Sequence, residues 1–182
     1  MVHKRKSPVM VTPKNDWQTP KELFDLLDAE FGFWIDAACT PESRMCIYGY
    51  TKELDAMKQN WYDDAVKFSD GWEYPAIFLN PPYSGGMINH FMAKALEESC
   101  KGAVVVCLVP VQSDAAWWHD YVMSASEIRF IRGRVKYVGY DENGKRIKNS
   151  PMFASCIVVF APREPEEKGE PPRLVWMKDT GC

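Results

Sequence analysis

The run Ala76-Ile77-Phe78-Leu79 is wholly apolar and stops abruptly at Asn80-Pro81-Pro82-Tyr83, ahead of the small polar loop Ser84-Gly85-Gly86. An apolar run that ends in such breakers predicts a buried strand with the tetrapeptide at its carboxyl end. Neither proline has an N–H, and each drives the residue before it toward extended backbone. The loop is therefore stiff, rich in acceptors and poor in donors. A second run, Ala103 to Val109, has the continuous apolar character of a parallel strand buried on both faces. Between the two, Ile88, Phe91, Met92, Ala95 and Leu96 share one face of a helix predicted over Met87 to Cys100, which Lys101-Gly102 closes. Strand–helix–strand alternation implies an α/β fold, with a doubly wound, mostly parallel sheet. In such sheets ligands bind at the carboxyl ends of strands.

The rest of the chain extends this pattern. Residues 1–15 are expected to form a flexible basic arm. Leu23, Phe24, Leu26, Leu27 and Phe31 recur at helical spacing, predicting a helix from Pro20 to Phe31 with Thr19 as N-cap and Gly32 as stop. Short strands are expected at Phe33 to Ala37 and Cys46 to Tyr50, followed by an irregular stretch before Ala76. A further helix is expected over Ala115 to Met123. Glu127 to Tyr140 and Phe153 to Phe160 are expected as two strands of a terminal antiparallel hairpin, joined by the turn-rich Asp141-Glu142-Asn143-Gly144. Pro162 to Pro172, with four glutamates, predicts a weakly ordered tail. The expected division is an arm over 1–15, one domain over 16–161 and a tail over 162–182.

At 182 residues and 46% hydrophobic content the chain is sized for one domain with a substantial core. Its longest apolar run is too short to span a membrane, and its charged N-terminus lacks the apolar stretch of a secretory signal. Six cysteines without C-x-x-C spacing point to reduced thiols and a cytoplasmic setting, not to zinc. His3, His90 and His119 are scattered, and no metal role is assigned to them. The net charge of −3 is unevenly distributed. Lys4, Arg5, Lys6 and Lys14 lie in an acid-free N-terminal segment. Residues 129–148 hold Arg129, Arg132, Arg134, Lys136, Lys145, Arg146 and Lys148 against Asp141 and Glu142. Two basic segments on an acidic body fit a localised phosphate-binding face. A solvated hairpin and a disordered tail would give the same composition.

The chemistry of the tetrapeptide is specific. The Asn80 side-chain oxygen and the Pro81 carbonyl are acceptors beside the aromatic face of Tyr83. Together they suit an exocyclic amino group on a flat ring, which has two N–H bonds to give and a π surface to stack. Such an amine is a poor nucleophile because its lone pair is delocalised into the ring. Acceptors that grip its hydrogens favour a pyramidal nitrogen with a localised lone pair, a form of electrostatic preorganisation. A Pro-rich turn that merely closes a strand is the plain alternative. A proline-rich docking ligand fits less well, because the pair follows a buried strand.

Three segments in order carry a family resemblance. Asp16-Trp17-Gln18-Thr19-Pro20-Lys21-Glu22-Leu23-Phe24 leads from a Thr-Pro turn into a helix. Phe33-Trp34-Ile35-Asp36-Ala37-Ala38-Cys39 is a strand ending in an acid and small residues. Asn80 to Tyr83 is the third. In this order, over about Asp16 to Phe160, the chain resembles the S-adenosylmethionine-dependent amino-methyltransferases, and specifically the phage-type DNA adenine-N6 methyltransferases, the Dam-like family.

The resemblance implies a Rossmann-like sheet of class I methyltransferase type, with one antiparallel strand near its end and ligands over the first and fourth strands. It implies S-adenosylmethionine as cofactor, with Trp17, Thr19 and Pro20 around its amino-acid end and Asp36, Ala37 and Ala38 beside it. Asp36 has strand-end capping as its simpler role. Ala37-Ala38-Cys39-Thr40 lacks the usual glycine, so small side chains must allow the close approach. Asp55 is the choice for the ribose over Glu53, Asp63 and Asp64, with a plain surface carboxylate as the alternative. Asn80, Pro81, Pro82 and Tyr83 are implied as catalytic, acting on a flipped adenine of duplex DNA. Tyr83 would stack on the base and Phe153 would close its other side, unless Phe153 is an ordinary core aromatic. Arg134, Lys136, Lys145, Arg146 and Lys148 would meet the DNA backbone. The chain has no evident room for a separate recognition domain. The implied setting is a bacterial host cytoplasm, with the gene carried by phage or prophage and the protein a monomer or weak dimer. Amino-methyltransferases of RNA or protein glutamine share the tetrapeptide but usually keep the glycine loop. A non-catalytic nucleic-acid-binding relic of the fold is the remaining alternative.

Overall fold

A computed structural model describes residues 18–83, 85–140, 146–149, 151–163 and 169–177. Helix α1 (Lys21–Phe31) leads into strand β1 (Phe33–Asp36) and the short β2 (Tyr48–Gly49). A 3-10 turn (Ala56–Lys58) and α2 (Trp61–Phe68) precede β3 (Ala76–Leu79), α3 (Met87–Lys101) and β4 (Val104–Pro110). Then follow α4 (Ala116–Asp120), a 3-10 turn (Val122–Ser124), β5 (Glu127–Ile131), β6 (Tyr137–Tyr140), β7 (Arg146–Asn149), β8 (Ser155–Phe160) and β9 (Arg173–Met177). Seven strands make one sheet in the order β2-β1-β3-β4-β8-β5-β9. Among the described strands of this sheet, only β8 runs antiparallel to its neighbours, β4 and β5. The expected α/β class and mostly parallel sheet are present, but the antiparallel strand expected near the end of the sheet has β5 and β9 beyond it.

Alternation along the strands divides the interior in two, because successive side chains point to opposite faces. Ile35, Ile77, Leu79, Val105, Cys107 and Val109 pack with Trp61, Met92, Ala95 and Trp118 from α2, α3 and α4. Phe33, Ala76, Phe78, Val106 and Leu108 pack with Leu23, Phe24 and Leu27 of α1. Both faces are thus covered, which is why β3 and β4 are continuously apolar. Gly32 ends α1 at φ 65°, a left-handed conformation that favours glycine, and its N–H bonds the Asp28 carbonyl. No described helix is long and apolar enough to cross a membrane.

Several expectations change. Thr19 does not cap α1, whose N-cap is Pro20 and carries no side-chain cap bond. The Thr19 hydroxyl instead accepts from Asn80 Nδ2. The stretch expected to be irregular contains α2, which rests on fully buried Trp61, with Trp61 Nε1 donating to the Ala56 carbonyl at 2.8 Å. The strand expected over Glu127 to Tyr140 breaks after Ile131, where Gly133 at φ 83° turns the chain out of the sheet. As a result β6 pairs with β7 in a separate two-stranded sheet, and β5 pairs with β8. Asn80 follows the third strand in chain order, not the fourth. Arg173–Met177, assigned to the tail, forms a parallel edge strand on β5. Its exposed Leu174 and Trp176 gave no core-like signal.

One buried charge ties α2 to α3. Glu98 is fully buried and accepts from Tyr62 N at 2.9 Å. It also pairs with Lys94 at 2.6 Å and Lys101 at 2.8 Å. Both lysines keep some contact with solvent and rehydrate if the partner is lost. Glu98→Ala should therefore lower the unfolding free energy by about 2 kcal/mol, mainly through the stranded Tyr62 N–H. Glu98→Gln, which keeps an acceptor there, should lose less, and urea unfolding of both variants measures the difference.

Candidate active site

β2 lies on one side of β1 and β3 on the other, so the winding reverses at the β1–β3 pair. This is the switch point at which open α/β sheets bind ligands. Asp36 ends β1 in register with Phe78, two residues before Asn80. A cleft of about 480 Å³ opens over these strand ends, a size suited to a small organic ligand. Thr19, Asp36, Ala37, Ala38, Asp55, Asn80 and Pro82 all line it.

Asp36 is almost fully buried. Its Oδ1 accepts from Ala38 N at 3.3 Å and its Oδ2 from Met45 N at 3.1 Å. It therefore caps the strand end and fixes the loop that follows. Burial pushes its carboxyl up to about 6, against the pull of those two N–H groups and of Arg44. The same burial, with the Asp36 charge behind it, holds the Cys39 thiol protonated, pushed up to about 12. A glycine is instead required on β2, which packs closely against Cys39. A Cβ on Gly49 would meet Cys39 Sγ at 2.6 Å. Tyr50 then joins the strand ends, with its N–H on the Asp36 carbonyl at 2.9 Å and its hydroxyl on Asp64 at 2.7 Å.

Of the four carboxylates considered for the ribose, only Asp55 is among the residues lining the cleft. It takes the left-handed conformation at φ 52°, accepts from Met57 N at 3.3 Å and pairs with Lys58 at 2.9 Å. A non-glycine residue in that region carries backbone strain, and such residues gather at functional sites.

Asn80 is held on both sides of its amide. Nδ2 donates to Thr19 Oγ1 at 3.0 Å, and Oδ1 accepts from the Tyr83 hydroxyl at 2.8 Å. The Tyr83 oxygen also lies 3.2 Å from the Leu108 carbonyl and 3.1 Å from the Tyr137 hydroxyl, which is 3.0 Å from Ser155 Oγ. Thr19 reaches this place because Gln18 pairs with Val138 of β6 through two backbone bonds, at 3.1 and 2.9 Å. The Tyr83 ring meets Phe153 edge to face, with centroids 5.7 Å apart. The structure thus brings Thr19, Asn80, Tyr83 and Phe153 together, with Pro20 and Pro81 buried nearby in sequence.

Trp17 and Lys145 lie outside the described residues. Arg146 and Lys148 are placed by backbone in β7. Arg134 and Lys136 are not in a strand. They stand exposed on the connection from β5 to β6, alternating with buried Val135 and Tyr137. Arg129, counted in the basic segment, is engaged elsewhere. It pairs with Glu30 and Glu127 and lies 5.1 Å from the Phe31 ring. Tyr137, Ser155, Gly49 and Tyr50 were not anticipated. Each acts through a contact distant in sequence, so no local pattern marks it. No group of three or more potential metal ligands occurs among the described residues.

This site can present a neutral acceptor, Asn80 Oδ1, at a strand end beside a cleft that carries a buried carboxyl. Residues 6–170 match the family described as DNA N-6-adenine-methyltransferase (Dam). The chain belongs to this family. A curated relative, the DNA N-6-adenine-methyltransferase of Escherichia phage T1, is 29% identical over 167 residues, or 83% of this chain. The chain spans 63% of that relative's length. The Dam match covers every described residue of the cleft.

Asp36 also gives this Dam-family chain a pH signature. Its folded value, about 6, lies above the ordinary 3.8. Between those values the folded chain holds a proton that the unfolded chain has lost. Stability from this group is greatest in acid and falls as pH rises through 6. Relative to Asp36→Asn, the ligand-free protein should lose about 2 kcal/mol of stability between pH 4.5 and pH 8. Urea unfolding of both proteins at the two pH values tests this, and a pH-independent difference would contradict the buried, raised carboxyl.

Proposed function

We propose that this chain is a DNA adenine-N6 methyltransferase, transferring a methyl group from S-adenosylmethionine to the exocyclic amine of an adenine flipped out of the duplex. The observation that carries the proposal is Asn80. It stands at the carboxyl end of β3, one strand from Asp36, with its amide oriented and its oxygen backed by an aromatic ring. The family membership and the phage T1 relative favour DNA over RNA or protein glutamine as substrate.

The cleft residues fit the cofactor. Ala37 and Ala38 leave room, Asp55 stands at the rim, and Asp36 offers a negative charge that burial makes costly until a cation compensates it. When bound, S-adenosylmethionine supplies an activated methyl group on a cationic sulfur. The chain's own part is to grip and orient. Asn80 Oδ1 accepts an amine N–H and holds the nitrogen pyramidal, so that its lone pair points at the methyl carbon. Positioning of this kind supplies much of the acceleration. Pro81 and Pro82 keep the grip stiff. The Tyr83 ring stacks on the base. An adenine seated between two parallel rings needs about 7 Å between their planes, given contact distances near 3.5 Å. Phe153 therefore turns from its present edge contact when the base enters.

Phosphates would follow the basic residues of this hairpin, of which Arg134 and Lys136 are exposed. Arg134 and Lys136 lead directly into β6, and Arg146 and Lys148 belong to β7, the other arm of the hairpin. Arg129, neutralised by two glutamates, is left out.

Methyl-labelled cofactor incubated with duplex DNA should place label in N6-methyladenine. Asn80→Ala should lower turnover about 100-fold or more, the scale of losing one preorganised polar group, with cofactor affinity by calorimetry unchanged. Near-normal turnover in that variant would defeat the mechanism.

Each phosphate contact adds about 0.9 to the magnitude of the slope of log affinity against log salt on duplex DNA. Replacing Lys145, Arg146 and Lys148 together by Ala should weaken DNA binding and flatten that slope while cofactor affinity stays the same. An unchanged slope would place the DNA track elsewhere.

A further inference from the structure

The Tyr83 hydroxyl has one proton and, among the described residues, three oxygen neighbours. Asn80 Oδ1 lies at 2.8 Å, the Tyr137 hydroxyl at 3.1 Å and the Leu108 carbonyl at 3.2 Å. Asn80 Oδ1 and the Leu108 carbonyl can only accept, so they compete for that proton. Tyr137 can satisfy the Tyr83 oxygen without claiming the proton only by donating to it. Its own oxygen can then accept from Ser155 Oγ at 3.0 Å. Tyr137 and Ser155 are both buried. With Tyr137 as the donor to Tyr83, the hydroxyls form a directed chain from Ser155 through Tyr137 and Tyr83, with two alternative ends.

We propose that Tyr137 is a positioning residue for the Asn80 carbonyl oxygen, acting through the Tyr83 hydroxyl, which occupies that oxygen until a substrate amine arrives and then turns its proton to the Leu108 carbonyl. The proposal rests on the methyltransferase reading above. In the first state the Tyr83 proton satisfies Asn80 Oδ1 while no base is bound. In the second, the lone pair is released to an amine N–H. The exchange is a rotation about one C–O bond, with both acceptors already within hydrogen-bond distance. In this orientation Asn80 Nδ2 donates to Thr19 Oγ1, which directs Oδ1 to the Tyr83 hydroxyl. Desolvation raises both phenols, Tyr137 to about 12 and Tyr83 well above its ordinary value, so both keep their protons and the relay carries no charge.

The relay differs from simple packing in one respect: Tyr137 should matter only while Tyr83 has a hydroxyl. Tyr137→Phe keeps the ring and should lower kcat about tenfold, with KM for DNA and cofactor affinity within about twofold. In a Tyr83→Phe background the same change should cost nothing further, the non-additivity expected of residues that act as one unit. An equal loss in both backgrounds would overturn the proposal. A second readout needs no turnover. The side-chain amide signal of Asn80, identified by its loss in Asn80→Asp, should move in Tyr137→Phe, yet should not move when Tyr137→Phe is added to Tyr83→Phe. An amide signal that ignores Tyr137→Phe also overturns the relay. If the wild-type protein transfers no methyl group to DNA, the functional reading fails, and the amide signal still decides the relay.

Discussion

The burial of β3 and β4 on both faces governs where this molecule can hold polar chemistry. Every residue of β3 is buried, and six of the seven in β4 are. A polar side chain placed along such a strand would need its own buried partner. Chemistry is therefore displaced to the strand ends, where the backbone leaves the ladder and solvent is near. Asp36 and Asn80 are both found there. They become neighbours because β1 and β3 pair directly, with Asp36 in register with Phe78. The remaining site residues come from segments that cover those ends: Thr19 ahead of α1, Asp55 after β2, and Tyr137 at the start of the hairpin.

The two polar centres of the site are built on opposite electrostatic principles. Asp36 is ionisable and buried, and its charge is opposed by burial even with two N–H donors. It is poised to gain from a nearby cation. The Asn80 network has no ionisable member that titrates near neutrality, since both its phenols are raised. A neutral amide keeps its acceptor strength across pH, whereas a carboxylate in the same place would gain charge and then risk losing it to burial. The division suits the proposed reaction, in which positive charge leaves one centre and develops at an amine beside the other.

Much of this arrangement was legible before the structure, because it depends on local periodicity. The spacing of Leu23, Phe24 and Leu27 marked α1, and the two apolar runs marked β3 and β4. The Asn80-Pro81-Pro82 stop placed the site at a strand end. What escaped notice depends on tertiary contacts. Thr19 looked like an N-cap because it precedes a helix with proline, but its hydroxyl serves Asn80 instead. α2 was obscured because its stability comes from one buried tryptophan and from Glu98 on another helix, not from a long amphipathic stripe. The edge strand β9 buries little and so shows little pattern. The break falls at Gly133, whose left-handed backbone turns the chain between two stretches that do form strands, Glu127–Ile131 and Tyr137–Tyr140.

That break has a consequence for the site. Had Glu127 to Tyr140 continued as one strand, Tyr137 would have extended along the sheet beyond Ile131, away from the end of β3. Gly133 instead releases the chain, and alternation then directs Val135 and Tyr137 inward while Arg134 and Lys136 stay exposed. The same short segment thus delivers a hydroxyl to the interior, 3.1 Å from Tyr83, and cations to the surface. Val138 then binds Gln18 and draws Thr19 against Asn80. A side chain at position 133 would be strained at φ 83°, although space there is open. Relief of that strain would shift the hairpin and, with it, both ends of the Asn80 amide's support.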